Sequence, residues 1–233
     1  MEIEKNIPVG AGLAGGSTDA AAVLVGIDLL WQLGLTRAEL EILGATLGSD
    51  VPFCIVGGTA IATGRGEKIS PLPDLQGLYV VLAKYRSLSV STPWAYQTYR
   101  HQFESGYVRE PASLLARQER VHSGPMVAAI AAQATRGLAQ QEGWAIAQQL
   151  YNDLEKVVLP AHPQVQALRE ACVVCPEVLG AMMSGSGPTV FALSQTQSEA
   201  KVVQATLAAQ FDDPDLELWV TSLSTAGVRL AAL

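Results

Sequence analysis

The residues near the start of this chain that could do chemistry are glycines at the mouth of a helix. Pro8-Val9-Gly10-Ala11-Gly12-Leu13-Ala14-Gly15-Gly16-Ser17-Thr18-Asp19 packs four glycines into seven residues and runs into apolar residues at helical spacing. Glycine adopts backbone conformations that other residues avoid and lets a ligand approach the main chain closely. The N-terminus of the following helix adds unpaired N–H groups and a partial positive charge. Together these make an anion cradle, most often for phosphate. The plainer alternative is a Gly-rich strand-to-helix turn.

Two further segments gain meaning only beside the first. Leu47-Gly48-Ser49-Asp50-Val51-Pro52-Phe53 sets a carboxylate in a helix-to-strand turn. Alone, Asp50 is a turn former. Next to a phosphate cradle it is a group that could position and deprotonate a hydroxyl for attack on a γ-phosphate. Met183-Ser184-Gly185-Ser186-Gly187-Pro188-Thr189-Val190-Phe191 joins two apolar runs. Taken alone it reads as a tight hairpin. As a second Gly-rich loop it is a candidate wall of the same site.

The wording of the first loop narrows the options. No Gly-Lys-Ser/Thr closes it, so it is not a Walker A loop. Gly10-x-Gly12-x-x-Gly15 spells the dinucleotide fingerprint, with Met1–Ile7 as the preceding strand. That fingerprint also needs a βαβ unit and an acidic residue ending its second strand. Helix, turn and helix follow instead, so a nicotinamide-binding protein is the runner-up.

The elements that must position these residues follow from periodicity. Ala20, Ala21, Val23, Leu24, Ile27, Leu30 and Trp31 predict a helix from Ser17 to Leu33 capped by Gly34. Thr36 and Glu39 form a capping box for a second helix ending near Leu47. Val51–Val56, with Cys54 inside it, and Thr59–Thr63 read as strands around Gly57-Gly58. Pro71-Leu72-Pro73-Asp74 is the expected linker, dividing residues 1–75 from 76–233. Leu78–Ala83 opens the second domain as a strand, and Thr92 caps a helix with Pro93 in its first position. Helical character is expected over Gly124–Gln141, over Asp153–Leu159 up to Pro160, over Pro163–Val174 and near Ser198–Gln210. A strand pair flanks Gly185–Gly187 and a last strand lies near Leu216–Leu223, which makes the second domain α+β.

Composition bounds the rest. The 233 residues are 49% hydrophobic and only 16% charged, enough for one large core or two small ones. The net charge of −7 argues against nucleic-acid binding, which needs a basic face. No apolar stretch reaches membrane-spanning length and no signal-peptide pattern opens the chain, so the cytoplasm is the expected compartment. Cys54, Cys172 and Cys175 lack framework spacing and suit reducing conditions. His101, His122 and His162 lack metal-ligand spacing. Arg65, Lys68, Lys84 and Arg86 are either solvated surface or neighbours of a substrate diphosphate.

Taken in order, Ile7–Ser17, Leu47–Phe53, Asn152-Asp153-Leu154-Glu155 and Ser184–Phe191 resemble the motifs of the GHMP kinase superfamily, which includes galactokinase and the homoserine, mevalonate and phosphomevalonate kinases. The resemblance covers most of the chain, least clearly Tyr99–Gly143. It implies a two-domain α+β fold, with a ribosomal-S5-like N-terminal domain, incomplete here, and a ferredoxin-like C-terminal domain. It is nearest to the branch that phosphorylates the 2-hydroxyl of a cytidine-diphosphate-linked methylerythritol in the non-mevalonate isoprenoid pathway. Siblings of the homoserine or mevalonate type, or a non-catalytic nucleotide-binding remnant, are the alternatives.

Carried over residue by residue, the resemblance implies that Pro8, Val9, Gly10, Ala11, Gly12, Leu13, Ala14, Gly15, Gly16, Ser17 and Thr18 hold ATP. Ser17 would touch an accompanying Mg²⁺, and Asp50 would be catalytic. Gly185, Ser186 and Gly187 would meet the phosphates from the other domain; Thr92 would contact the substrate and Tyr96 would stack on its cytosine. Members of the superfamily carry a catalytic lysine and several strands before the first loop. Lys5 is the only lysine ahead of the loop here and is read as lying in its strand, the wrong place for that role. The expectation is a chain lacking that segment, with little turnover unless extended, a plastid stroma location left open, and a monomer or weak homodimer without nucleic-acid or membrane partners.

Overall fold

The computed structural model describes residues 2–136 and 140–230. Its first part is helical. Helix α1 (Gly15–Trp31) is followed by α2 (Arg37–Leu47) and α3 (Val51–Val56), then by an antiparallel hairpin of β1 (Ala60–Thr63) and β2 (Lys68–Pro71). The Thr36–Glu39 capping box forms as its sequence demands, with the Glu39 carboxylate held on the Thr36 backbone N–H at 2.8 Å.

The second part begins with β3 (Tyr79–Tyr85) and α4 (Thr92–Phe103). A helical stretch follows: α5 (Pro111–His122), α6 (Pro125–Arg136), α7 (Gln140–Ala147), α8 (Glu155–Ala161) and α9 (Pro163–Val174). The chain ends in β4 (Gly180–Met183), β5 (Val190–Ser194), α10 (Gln197–Phe211) and β6 (Leu216–Ser222). The four strands form one sheet in the order β4-β5-β3-β6, every pair antiparallel. A strand, a helical crossover, two strands, a helix and a strand in that order make the split βαβ, ferredoxin-like arrangement. Its core lies between sheet and helices, around Val81, Ala83, Val158, Val165, Leu168, Met183, Val190, Val203 and Leu207.

Several expectations give way to packing. Val51–Val56 is a helix, not a strand. A short apolar run has no decisive period, and Pro52 suits a first helical turn, where its missing N–H costs nothing. Gly44 lets this helix lie against α2: a Cβ there would sit 3.0 Å from Val51 and 3.1 Å from Ile55. No strand occurs in residues 2–14, so Met1–Ile7 does not supply one among the described residues. The left-handed C-cap of α1 is Gln32 rather than Gly34, and Ser91 rather than Thr92 caps α4 by accepting from the Trp94 N–H. Pro160 lies inside α8, where a helix of seven residues has few bonds for it to interrupt. The helical expectation over 124–141 is met by α6 and the start of α7, and its residues 137–139 lie outside the described residues.

The apolar stripe of α1 is only partly covered. Ala21 is its one buried residue, and Val23, Ile27 and Leu30 line an open groove with Ile3. No helix among the described residues is long and apolar enough to cross a membrane.

Candidate active site

The loop ahead of α1 is built for close approach. Gly10 and Gly12 stand at φ +63° and +71°, and the residue that caps the helix, Ala14, is itself left-handed at φ +52°. A non-glycine residue in that region is uncommon and costs roughly 1–2 kcal/mol. Such strain concentrates at functional sites. The N–H groups of Gly15, Gly16 and Ser17 open α1 with no acceptor among the described residues, and Thr18 N–H, bonded to the Ala14 carbonyl at 2.9 Å, is the first to be satisfied. Three free donors at the positive end of a 17-residue helix form the anion cradle.

The second Gly-rich loop closes directly over the first. The Ser184 hydroxyl donates to the Gly12 carbonyl at 2.8 Å, and Thr189 N–H donates to the Ala11 carbonyl at 3.3 Å. Gly185 and Gly187 take φ +54° and +79° to make the turn, and the Gly187–Pro188 bond is cis. The buried Ser186 hydroxyl shares a 2.8 Å hydrogen bond with Thr92 at the start of α4. Loop, hairpin and α4 thus meet in one cleft of about 720 Å³.

Residues Pro8 through Ser17, Asp50, Thr92, Tyr96, Gly185 and Ser186 all line that cleft. Asp50 sits at the N-terminus of α3, exposed, with no hydrogen-bond or ion-pair partner for its carboxylate among the described residues. Tyr96 is 59% exposed, so core packing does not account for it. Its neighbour Trp94 instead rests edge-on against His162 at 5.9 Å. Two residues expected at the site fall outside the lining. The Thr18 hydroxyl turns back to the Ala14 carbonyl and to Cys54 Sγ, and Gly187 is buried against Met183.

Lys5 is the residue that sequence reasoning set aside. It lines the cleft and pairs with Asp19 on α1, with its ammonium beside Gly15. The signal was its place two residues before Ile7-Pro8, masked by reading those residues as a strand. The basic quartet does not converge on the cleft. Lys84 is buried with its ammonium on the Tyr85 and Arg86 carbonyls, and Arg86 pairs with Glu217 at 3.0 Å. Burial pushes the Cys54 thiol's pKa up, against the lowering hydrogen bond with Thr18 and with a smaller push from the Asp50 charge.

Two antiparallel sheets leave no parallel βαβ crevice among the described residues, which removes the dinucleotide reading. A glycine cradle on a helix N-terminus, closed by a hairpin of a ferredoxin-like unit beside a free carboxylate, defines a small-molecule kinase of two-part α+β build. Residues 1–58 match the model of the GHMP kinases N terminal domain and residues 141–213 that of the GHMP kinases C terminal domain. The 4-diphosphocytidyl-2-C-methyl-D-erythritol kinase of Nostoc punctiforme is 60% identical over 232 residues, covering 100% of this chain and 71% of the relative. The enzyme of that name from Synechocystis is 53% identical, covering 99% of this chain and 70% of the relative. A crystal structure of 4-(cytidine 5'-diphospho)-2C-methyl-D-erythritol kinase superposes with TM-score 0.65 at 28% identity, over 94% of this chain and 69% of that one. Homoserine kinase from Cytophaga hutchinsonii shares the fold, with TM-score 0.67 at 21% identity over 96% of this chain and 69% of that one. The chain belongs to the GHMP kinase family, whose members are ATP-dependent small-molecule kinases.

Proposed function

We infer that the chain transfers the γ-phosphoryl group of ATP to the 2-hydroxyl of 4-diphosphocytidyl-2-C-methyl-D-erythritol. The observation that carries this is convergence: one cleft holds three helix N–H donors and a carboxylate that have no partner among the described residues, together with an exposed tyrosine. The cradle takes the ATP phosphates through backbone dipoles, which is why an acidic chain can bind a polyanion. Asp50 orients the substrate hydroxyl and accepts its proton. The hydroxyl oxygen then bonds to the γ-phosphorus as the bond to the β-phosphate oxygen breaks and ADP leaves. The division into an ATP-binding part, residues 1–75, and a second part, residues 76–233, follows from the same reading, with the cleft between them.

Mg²⁺ suits this donor set. It binds through one or two protein oxygens plus substrate phosphates, and the Ser17 hydroxyl and the Asp50 carboxylate line the same cleft. No cluster of three or more His, Cys, Asp or Glu that could hold a metal alone occurs among the described residues. When bound with ATP, the ion would neutralise phosphate charge.

ADP release should be followed with and without the cytidine substrate, for this chain and beside it for the Nostoc punctiforme relative. Release that depends on the cytidine substrate, and not on homoserine or mevalonate, is the expected result. Release by the relative alone refutes turnover by this chain. Release by both turns attention to Lys5. No release by either refutes the assignment.

Tyr96→Ala tests the substrate side. If the ring stacks on the cytosine, its loss weakens binding of the cytidine substrate by about 1–3 kcal/mol and leaves ATP affinity unchanged. Calorimetric titration with each ligand separates the two, and an unaltered substrate Kd refutes stacking.

A further inference from the structure

Asn152 and Glu155 belong to a motif that lies outside the cleft lining, yet both reach the Gly-rich hairpin. Asn152 Nδ2 donates to the Met183 carbonyl at 2.8 Å and to the Gly185 carbonyl at 2.8 Å. Its Oδ1 accepts the Leu154 N–H at 2.9 Å, which fixes the amide the right way round for that double donation. Glu155 accepts the Met183 N–H at 2.8 Å, and its carboxylate lies 3.6 Å from Arg169. Since β4 is an edge strand among the described residues, that N–H has no neighbouring strand there to pair with.

The consequence concerns the hairpin's own N–H groups. With both carbonyls drawn toward Asn152, the N–H groups of Gly185 and Ser186 are left without an acceptor among the described residues, and both residues line the cleft. Gly15, Gly16 and Ser17, whose N–H groups open α1, line the same cleft. We propose that Asn152 is a positioning residue for the phosphate site. It holds the hairpin so that Gly185 and Ser186 present a second set of backbone donors to the phosphates, with Glu155 anchoring the strand end. This rests on the kinase reading above.

Asn152→Asp is a sharp probe because shape and the Leu154 bond survive. The donating amine becomes a carboxylate oxygen facing two carbonyl oxygens, which repels where the native group attracts. Asn152→Ala removes the donors without adding charge and serves if the Asp variant folds poorly. Amide NMR of the full chain without nucleotide reports the geometry, and calorimetry with adenosine, ADP and ATP reports the function. The Gly185 and Ser186 amide resonances should shift, and ATP affinity should fall roughly ten- to a hundred-fold, as losing hydrogen bonds to charged groups implies. ADP should be affected less and adenosine not at all. A merely structural role would lower Tm and leave the phosphate-dependent part of the affinity intact, which overturns the proposal. Unshifted amides overturn it as well. Native chain that fails to bind ATP, with the amide shifts present in the variant, would refute the kinase reading and leave the clamp standing.

Discussion

Asp50→Asn is expected to slow phosphoryl transfer by roughly 10²–10⁴-fold, the contribution usual for a positioned general base, with ATP affinity nearly unchanged. The carboxylate lines the cleft and has no hydrogen-bond or ion-pair partner among the described residues, so substitution breaks no structural contact. Asparagine has the same size and occupies the start of a helix equally well, so Tm should hold. What it lacks is the ability to take a proton. The cradle that holds ATP is made of backbone N–H groups on α1, which the substitution leaves in place. Single-turnover rates and an ATP titration on the same sample separate the effects, in whichever form of the protein turns over. Equal single-turnover rates would refute the assignment. Loss of ATP binding would make Asp50 a binding group instead.

Much of this site was legible because its conformations restrict residue type. Gly10, Gly12, Gly185 and Gly187 all stand at positive φ, and Gly12 lies directly against both Gly185 and Gly187, so the two Gly-rich segments share one place. Capping chemistry is similarly local, and the Thr36–Glu39 box forms as read. The rest depended on contacts between distant residues. Val51–Val56 has strand-like composition but becomes helical where Pro52 can begin a turn and Gly44 leaves room for it. Lys5 was set aside as a strand residue, whereas its segment joins no strand and brings its ammonium to Asp19 at the cleft. Thr18 read as one more residue of a continuous cradle, but the first turn of α1 rotates its hydroxyl onto the Ala14 carbonyl. Lys84 carried a charge in the sequence and is buried in the structure, satisfied by two backbone carbonyls that no spacing rule would find.

Comparing two glycines of the same loop shows how the cleft is built. Gly12→Ala should be severe. At φ +71° an added Cβ would lie 2.4 Å from the Ser184 carbonyl and 2.8 Å from the Gly187 carbonyl. Those neighbours are backbone, so no flexible side chain can yield. The loop and hairpin would have to separate, losing the Ser184–Gly12 and Thr189–Ala11 hydrogen bonds. Left-handed strain of about 1–2 kcal/mol and overpacking of about 1–3 kcal/mol should lower Tm, and ATP binding should fail with the cradle. Gly16 also lines the cleft, but a Cβ there meets nothing within 4 Å and its φ is not positive. Alanine at that helical position should hold or raise Tm, since glycine costs helices roughly 0.5–1 kcal/mol. Its methyl group would still stand where a phosphate must approach three free N–H donors. Gly16→Ala should therefore weaken ATP at unchanged stability, while Gly12→Ala loses both. Thermal melts paired with ATP titrations test this. Full ATP affinity in Gly16→Ala would move the phosphates away from the start of α1 and leave the loop glycines a packing role alone.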